Sequence, residues 1–390
     1  MLATSTENAT TPLARARGLR PDILGQRAEI EAGRKLPASL VERMREAQMF
    51  ELWLPSAFGG PELPPADFVA VIEELSRADG AVGWCATIAG VCNLLAGSLP
   101  EPVAREIFKD RKSVAGTVNP TGKAVAVEGG YRVTGRWAYG SGIDHSSWIV
   151  GNCVVHDGDE PRRRASGAPE MRFVLFPRSQ VEVIDTWRVS GLRGTGSHDF
   201  RIDDVFAPEA HSVPAFVSTG VQPGTLYKMP MMGLFAISLA AVVLGIARGA
   251  IEALLELAPA KTPVGSPSTL SEKPIAQMQI ARAEALVRAS RAYLLAAIEE
   301  EWDEVASGKP PSMEKRAGVR MACTYAAEAC TEAVDIVYKL AGGSAIQESG
   351  KIERCFRDIH AATQHIGLGA GNYELAGRVL LGLDPGTPRF

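Results

Sequence analysis

Apolar positions divide the chain into three stretches. From residue 21 to 112 they recur three and four apart, as on helices that each bury one face. Leu40, Val41, Met44 and Met49 follow Pro37, with Ser39 placed to cap that helix. Residues 54–60 read as a turn, and Pro65 opens a second helix through Phe68, Val71, Ile72 and Leu75. The small-residue run 80–87 permits close backbone packing. Between 113 and 214 the period shortens. Runs 131–137, 148–155, 172–176 and 181–184 are β-rich and separated by Gly, Asp and Pro clusters, which predicts a small antiparallel sheet or barrel. Residues 156–169 form a charged surface loop. From 215 to 390 helical spacing returns over 234–257, 275–305, 313–341 and 351–365, then 373–383, as in a bundle of long helices. The first 20 residues are expected to be a disordered tail. The fold expected is therefore mainly α with a central small β domain.

Composition narrows the class. The chain has 390 residues, 46% hydrophobic and 22% charged, with net charge -4, so neither a basic face for nucleic acid nor an acidic tail is expected. The apolar run 233–247 is too short and too soon charged for a membrane span, and fits a helix buried on all sides. Six cysteines include no C-x-x-C pair, which predicts buried free thiols in a reducing cytoplasm and no zinc or other metal site.

Several motifs carry a resemblance. They are the Pro…Gly-Gly turn at 55–60, the 135–142 run Gly-Arg-Trp-Ala-Tyr-Gly-Ser-Gly, the 191–200 run containing Gly-Thr-Gly-Ser-His, Gly342-Gly343, and Arg357-Asp358. In this order and spacing the chain resembles the acyl-CoA dehydrogenase superfamily. That resemblance implies an N-terminal helical domain, a β-barrel domain and a C-terminal four-helix bundle, commonly assembled as a homotetramer around a flavin.

Two chemistries occur in that superfamily. Dehydrogenases need a carboxylate base. Its usual positions here are Ile366, eight residues after Asp358, and the neighbourhood of Phe235, in a stretch from 226 to 251 that has no Asp or Glu. The run 357–365, ending in His365, instead resembles the two-component monooxygenase branch, above all its aromatic and indole-type hydroxylases. The resemblance implies reduced FAD or FMN, delivered by a separate NAD(P)H-dependent flavin reductase. It also implies O2 as co-substrate and oxygen transfer from a flavin C4a-hydroperoxide to an aromatic or indole-like small molecule.

The same resemblance places His365 near flavin C4a, where a helix C-terminus could raise its pKa. It places Ser141 opposite flavin N5 beside Gly142, with Tyr139 as a flavin wall or a core residue. Thr195 and Ser197 either lie near the flavin or simply close a tight β turn. Gly342 and Gly343 either admit the adenylate of a flavin bound by a neighbouring subunit or only end a helix. Trp84, Cys92, Asn93 and Phe235 are expected to line the substrate pocket. Cys92 stands where many members carry a His, which leaves substrate deprotonation without an evident agent. His360 is expected to be a supporting or surface residue. The competing readings are a thioester-acting dehydrogenase with a relocated base and a non-catalytic assembly subunit.

Overall fold

The computed structural model describes residues 11–217, 221–387 and 390. The N-terminal block contains α1 (Pro12–Gly25), α2 (Arg27–Gly33), α3 (Ala38–Glu46), α4 (Pro65–Ala78), α5 (Gly80–Asn93) and α6 (Glu101–Phe108). Helix α1 corrects the expected tail. It starts at Pro12, capped by the Thr11 hydroxyl, which accepts from Ala14 N–H at 3.2 Å. It buries Ala16, Leu19 and Ile23, and Arg20 pairs with Glu252 at 3.0 Å. Residues 1–10 of that expected tail lie outside the described residues. Ser39 is no cap either: its hydroxyl donates to Gln26 Oε1, and Pro37 holds the cap position of α3.

Helix α5 is buried along its whole length. Asp79 caps it, accepting from Ala81 and Val82 N–H at 3.0 and 3.4 Å. Gly83 lets it lie against α4, since a Cβ there would fall 1.8 Å from Ser76 Oγ.

The middle block is one mixed sheet of β1 (Ser113–Gly116), β2 (Gly122–Val127), β3 (Gly130–Gly140), β4 (Ser146–Asp157), β5 (Glu160–Pro161), β6 (Met171–Pro177), β7 (Glu182–Ile184), β8 (His198–Pro208) and β9 (Ser212–Pro214). The order is β7-β8-β3-β2-β4-β6-β9, with β1 and β5 both on β4. The antiparallel expectation fails for two pairs, because β1 and β2 both run parallel to β4. Trp137 anchors the sheet's own core. It stacks on Phe200 at 5.1 Å and donates to the Asn152 carbonyl at 2.8 Å.

The C-terminal block consists of α7 (Met231–Leu257), α8 (Pro274–Ala306), α9 (Met313–Ala341), α10 (Lys351–Ala362) and α11 (Gly371–Leu380). The apolar run around 233–247 belongs to a helix of 27 residues, so α7 is not too short to span a membrane. It and the segment 80–97 are long and apolar enough to do so, but both are buried within the protein, 94% and 100%. Such burial identifies them as core helices.

Helix α10 joins the three blocks. Its Arg354 pairs with Asp79 at 3.0 Å and donates to the Arg27 carbonyl at 2.7 Å. Its Asp358 accepts the Leu192 N–H at 2.6 Å, tying the 191–197 turn of the β block to the bundle. Burial and the neighbouring Asp79 carboxylate push the Asp358 pKa upward, while Arg354 opposes the shift.

Candidate active site

The three blocks enclose a cavity of about 550 Å3, within the range usual for small-molecule sites. Eight of the expected site residues line it: Trp84, Cys92, Tyr139, Ser141, Thr195, Ser197, Phe235 and His365. Four do not. Asn93 is buried at the end of α5 but is not on the cavity wall. Gly142 adopts φ 75°, and its N–H donates to the Thr195 carbonyl at 2.8 Å, so it shapes the turn behind Ser141. Gly342 (φ 49°) ends α9 beside Lys261, with Gly343 following, and neither reaches the cavity.

On one wall, the turn between β3 and β4 meets the turn before β8. Tyr139 sits at φ 68°, a left-handed conformation that costs a bulky residue about 1–3 kcal/mol. The chain reverses there, with Ser141 N–H donating to the Tyr139 carbonyl at 2.9 Å. Tyr139 is no core residue: it is 62% exposed, with its ring edge-on to Trp187 at 6.3 Å. Ser141 points inward and is buried. Its Oγ accepts from Trp84 Nε1 at 3.1 Å and lies 2.6 Å from Ser197 Oγ. Ser197 Oγ lies 2.6 Å from Thr195 Oγ1, and Thr195 donates to the Leu192 carbonyl at 2.9 Å. The Gly-rich turn is therefore a tight turn and a cavity wall at once.

Across the cavity, α10 stops at Ala362, so His365 is not at that helix's last turn. It caps the short 3-10 turn that follows, where its Nδ1 accepts from Gly367 N–H at 3.0 Å. Nδ1 is thereby the acceptor, and the neutral ring carries its proton on Nε2. Phe235 and Trp84 flank the ring edge-on at 5.0 and 6.0 Å. Burial pushes the His365 pKa down to about 4, the opposite of the expected rise, and the imidazole is neutral at pH 7. Burial likewise raises the Cys92 thiol to about 12, so it cannot serve as a thiolate base. His360 points elsewhere, bonding Asp335 at 3.0 Å and lying edge-on to Phe356.

Sequence reasoning missed two contributors. Trp187 lines the cavity and donates from Nε1 to the Leu192 carbonyl at 3.2 Å; it is the one Trp just ahead of the Gly-rich turn. Asp358 was visible only as part of a motif, and its hold on Leu192 is what positions that turn. Among the described residues, no Asp, Glu, Lys or Arg lines the cavity.

Comparisons with known proteins identify the family and the fold. Residues 17–98 match the family model described as acyl-CoA dehydrogenase, N-terminal domain, and residues 237–369 match its C-terminal domain. Indole-3-acetate monooxygenase of Pseudomonas putida is 31% identical over 92% of this chain and 90% of its own length. The flavin-dependent monooxygenase oxygenase subunit HsaA of Mycobacterium tuberculosis is 29% identical over 99% of each chain. The crystal structure of the M. tuberculosis HsaA monooxygenase superposes with TM-score 0.89 at 28% identity, covering 98% of this chain and 100% of that one. XiaF from Streptomyces, solved with FADH2 and glycerol, superposes with TM-score 0.89 at 26% identity, covering 97% of this chain and 96% of that one.

Proposed function

Because the chain belongs to the acyl-CoA dehydrogenase family, in its flavin-dependent monooxygenase branch, we propose that it hydroxylates an uncharged aromatic or indole-like ring, using reduced FAD or FMN and O2. One observation carries this reading against a dehydrogenase. The cavity offers a neutral imidazole and a hydroxyl chain, with no carboxylate among its described lining residues to take a proton beside a thioester.

The residues present suit a flavin ring. Ser141 would meet N5 with its Oγ, Tyr139 and Trp187 would border the ring, and the 191–197 turn would back it. Bound there, the reduced flavin supplies two electrons and, with O2, an electrophilic oxygen. The chain's part is to exclude water and hold protons. Phe235, Trp84 and Ile88 dry the substrate side. His365 presents Nε2–H as a fixed donor, able to hold an oxygen atom without ionising.

A substrate carboxylate would meet no cation on the described wall, and burying it unpaired is costly, which favours an uncharged ring. Reduced flavin would come from a separate NAD(P)H-dependent reductase, as expected from relatives named as oxygenase subunits or components. Leu380 and Leu381 are 65% and 78% exposed, apolar surface that burial in a homotetramer would cover. The six buried free thiols suit the reducing cytoplasm.

The test is turnover with photoreduced flavin, 18O2 and indole or a phenol, without any reductase. The reading expects one labelled oxygen per product molecule. Oxidation of an acyl-CoA under anaerobic conditions, with no labelled ring product, would overturn it.

A further inference from the structure

The hydroxyl chain behind Ser141 has a direction, and the direction follows from counting protons. Each oxygen pair at 2.6–2.9 Å needs one proton between its members, and each hydroxyl has one to give. The Leu192 carbonyl can only accept, so the Thr195 proton lies in that 2.9 Å contact. Thr195 Oγ1 must then accept from Ser197, and Ser197 Oγ must accept from Ser141. Trp84 Nε1–H occupies one Ser141 lone pair. What remains at Ser141 Oγ is a single lone pair and no proton. The far end is held as well, because Leu192 donates its N–H to Asp358 at 2.6 Å.

We infer that Thr195 and Ser197 are positioning residues that keep the Ser141 hydroxyl turned away from the cavity, and that the acceptor left exposed makes the site select reduced over oxidised flavin. The inference rests on the reading that flavin N5 meets Ser141. Reduced flavin carries a proton on N5 and can donate it to that lone pair. Oxidised flavin presents a lone pair at N5, so two acceptors would face each other. Turning the Ser141 proton toward oxidised flavin requires the whole chain to reverse, which leaves Thr195 Oγ1 and the Leu192 carbonyl facing each other at 2.9 Å with no proton between them. Such a device has a use in a two-component enzyme. It admits the form that a reductase releases and discharges the spent form.

Replacing Thr195 by the isosteric Val removes the end of the chain. Ser197 then has no Thr195 oxygen to donate to, so it donates to Ser141, and Ser141 turns its proton into the cavity. The experiment measures dissociation constants for oxidised and for anaerobically photoreduced flavin, by fluorescence and ultrafiltration, on the full chain. In Thr195→Val the ratio of oxidised to reduced constants should fall roughly thirtyfold, about five- to sixfold for the hydrogen bond gained and the same for the one lost. Thr195→Ser should keep the wild-type ratio, and Ser197→Ala, which frees Ser141, should shift it the same way as Val. A role in cavity shape alone would weaken both redox forms together. An unchanged ratio in both Thr195→Val and Ser197→Ala overturns the inference while leaving the flavin site standing. Failure of the wild type to bind either form overturns the flavin reading itself.

Discussion

Gly191→Ala tests how the site is assembled. Residue 191 opens the turn that carries Thr195 and Ser197, and it lies against α10. An added Cβ would fall 2.0 Å from the Arg357 carbonyl oxygen, 2.5 Å from its carbon and 2.9 Å from Ala361 Cβ. Two of these atoms are backbone, so no rotamer relieves the contact, and turn and helix must part by about 1 Å. Crowding of this kind costs about 1–3 kcal/mol. Parting also lengthens the 2.6 Å bond from Leu192 N–H to Asp358, a bond worth about 0.5–1.5 kcal/mol to a neutral carboxyl and up to about 3 kcal/mol to a carboxylate. Both losses come from one displacement and overlap, so about 2–4 kcal/mol is expected. The assay is the urea midpoint, read with reduced-flavin affinity. The control is Gly318→Ala within α9, where an added Cβ meets nothing within 4 Å and helix propensity favours Ala by up to about 1 kcal/mol. A Gly191→Ala protein with the wild-type midpoint and wild-type flavin affinity would refute the claim that this contact sets the turn.

Other consequences follow from the same interactions. Glu301 is buried with neither oxygen hydrogen-bonded among the described residues, and burial raises its pKa to about 7. The native state therefore holds an extra proton between about pH 4.5 and 7, and stability falls as pH rises through that window, by up to about 3 kcal/mol. Glu301→Gln should flatten this dependence and melt higher than wild type at pH 8; an unchanged profile would contradict the burial argument. For His365, with a pKa lowered to about 4, the sign is opposite: the unfolded chain takes up its proton first, so this contribution to stability is lost as pH falls from about 6.5 to 4. His365→Ala should release more H2O2 per hydroxylated product, roughly tenfold, while the wild-type product-to-peroxide ratio stays level from pH 6 to 8. Indole should exceed indole-3-acetate in kcat/KM by roughly tenfold, the cost of placing an unpaired carboxylate in an uncharged cavity; equal values would show that a cation reaches the substrate.

The three-block order was legible because the hydrophobic period itself changes near residues 113 and 214. Helix α1 was not. It buries only Ala16, Leu19 and Ile23, and Pro21 inside it read as a start rather than a middle. Ser141 and His365 could be picked out by motif, but their states depend on distant partners. The His365 pKa is set by enclosure between Phe235 and Trp84, from other helices, and counting along α10 suggested the reverse sign. The Ser141–Ser197 contact joins two turns 56 residues apart, and nothing local to either predicts it. Asn93 illustrates the limit of spacing: one position beyond Cys92 on a buried helix, it is buried but is not on the cavity wall.

The central claim is that this cavity directs reduced flavin toward oxygen transfer. Its most direct test is rapid mixing of the anaerobic reduced-flavin complex with O2, following O2 consumption and the return of oxidised-flavin absorbance together. The account predicts that oxidised flavin reappears well after O2 is consumed, and that Ser141→Ala shortens this delay. Reappearance in step with O2 consumption, at the rate of free flavin, would contradict it.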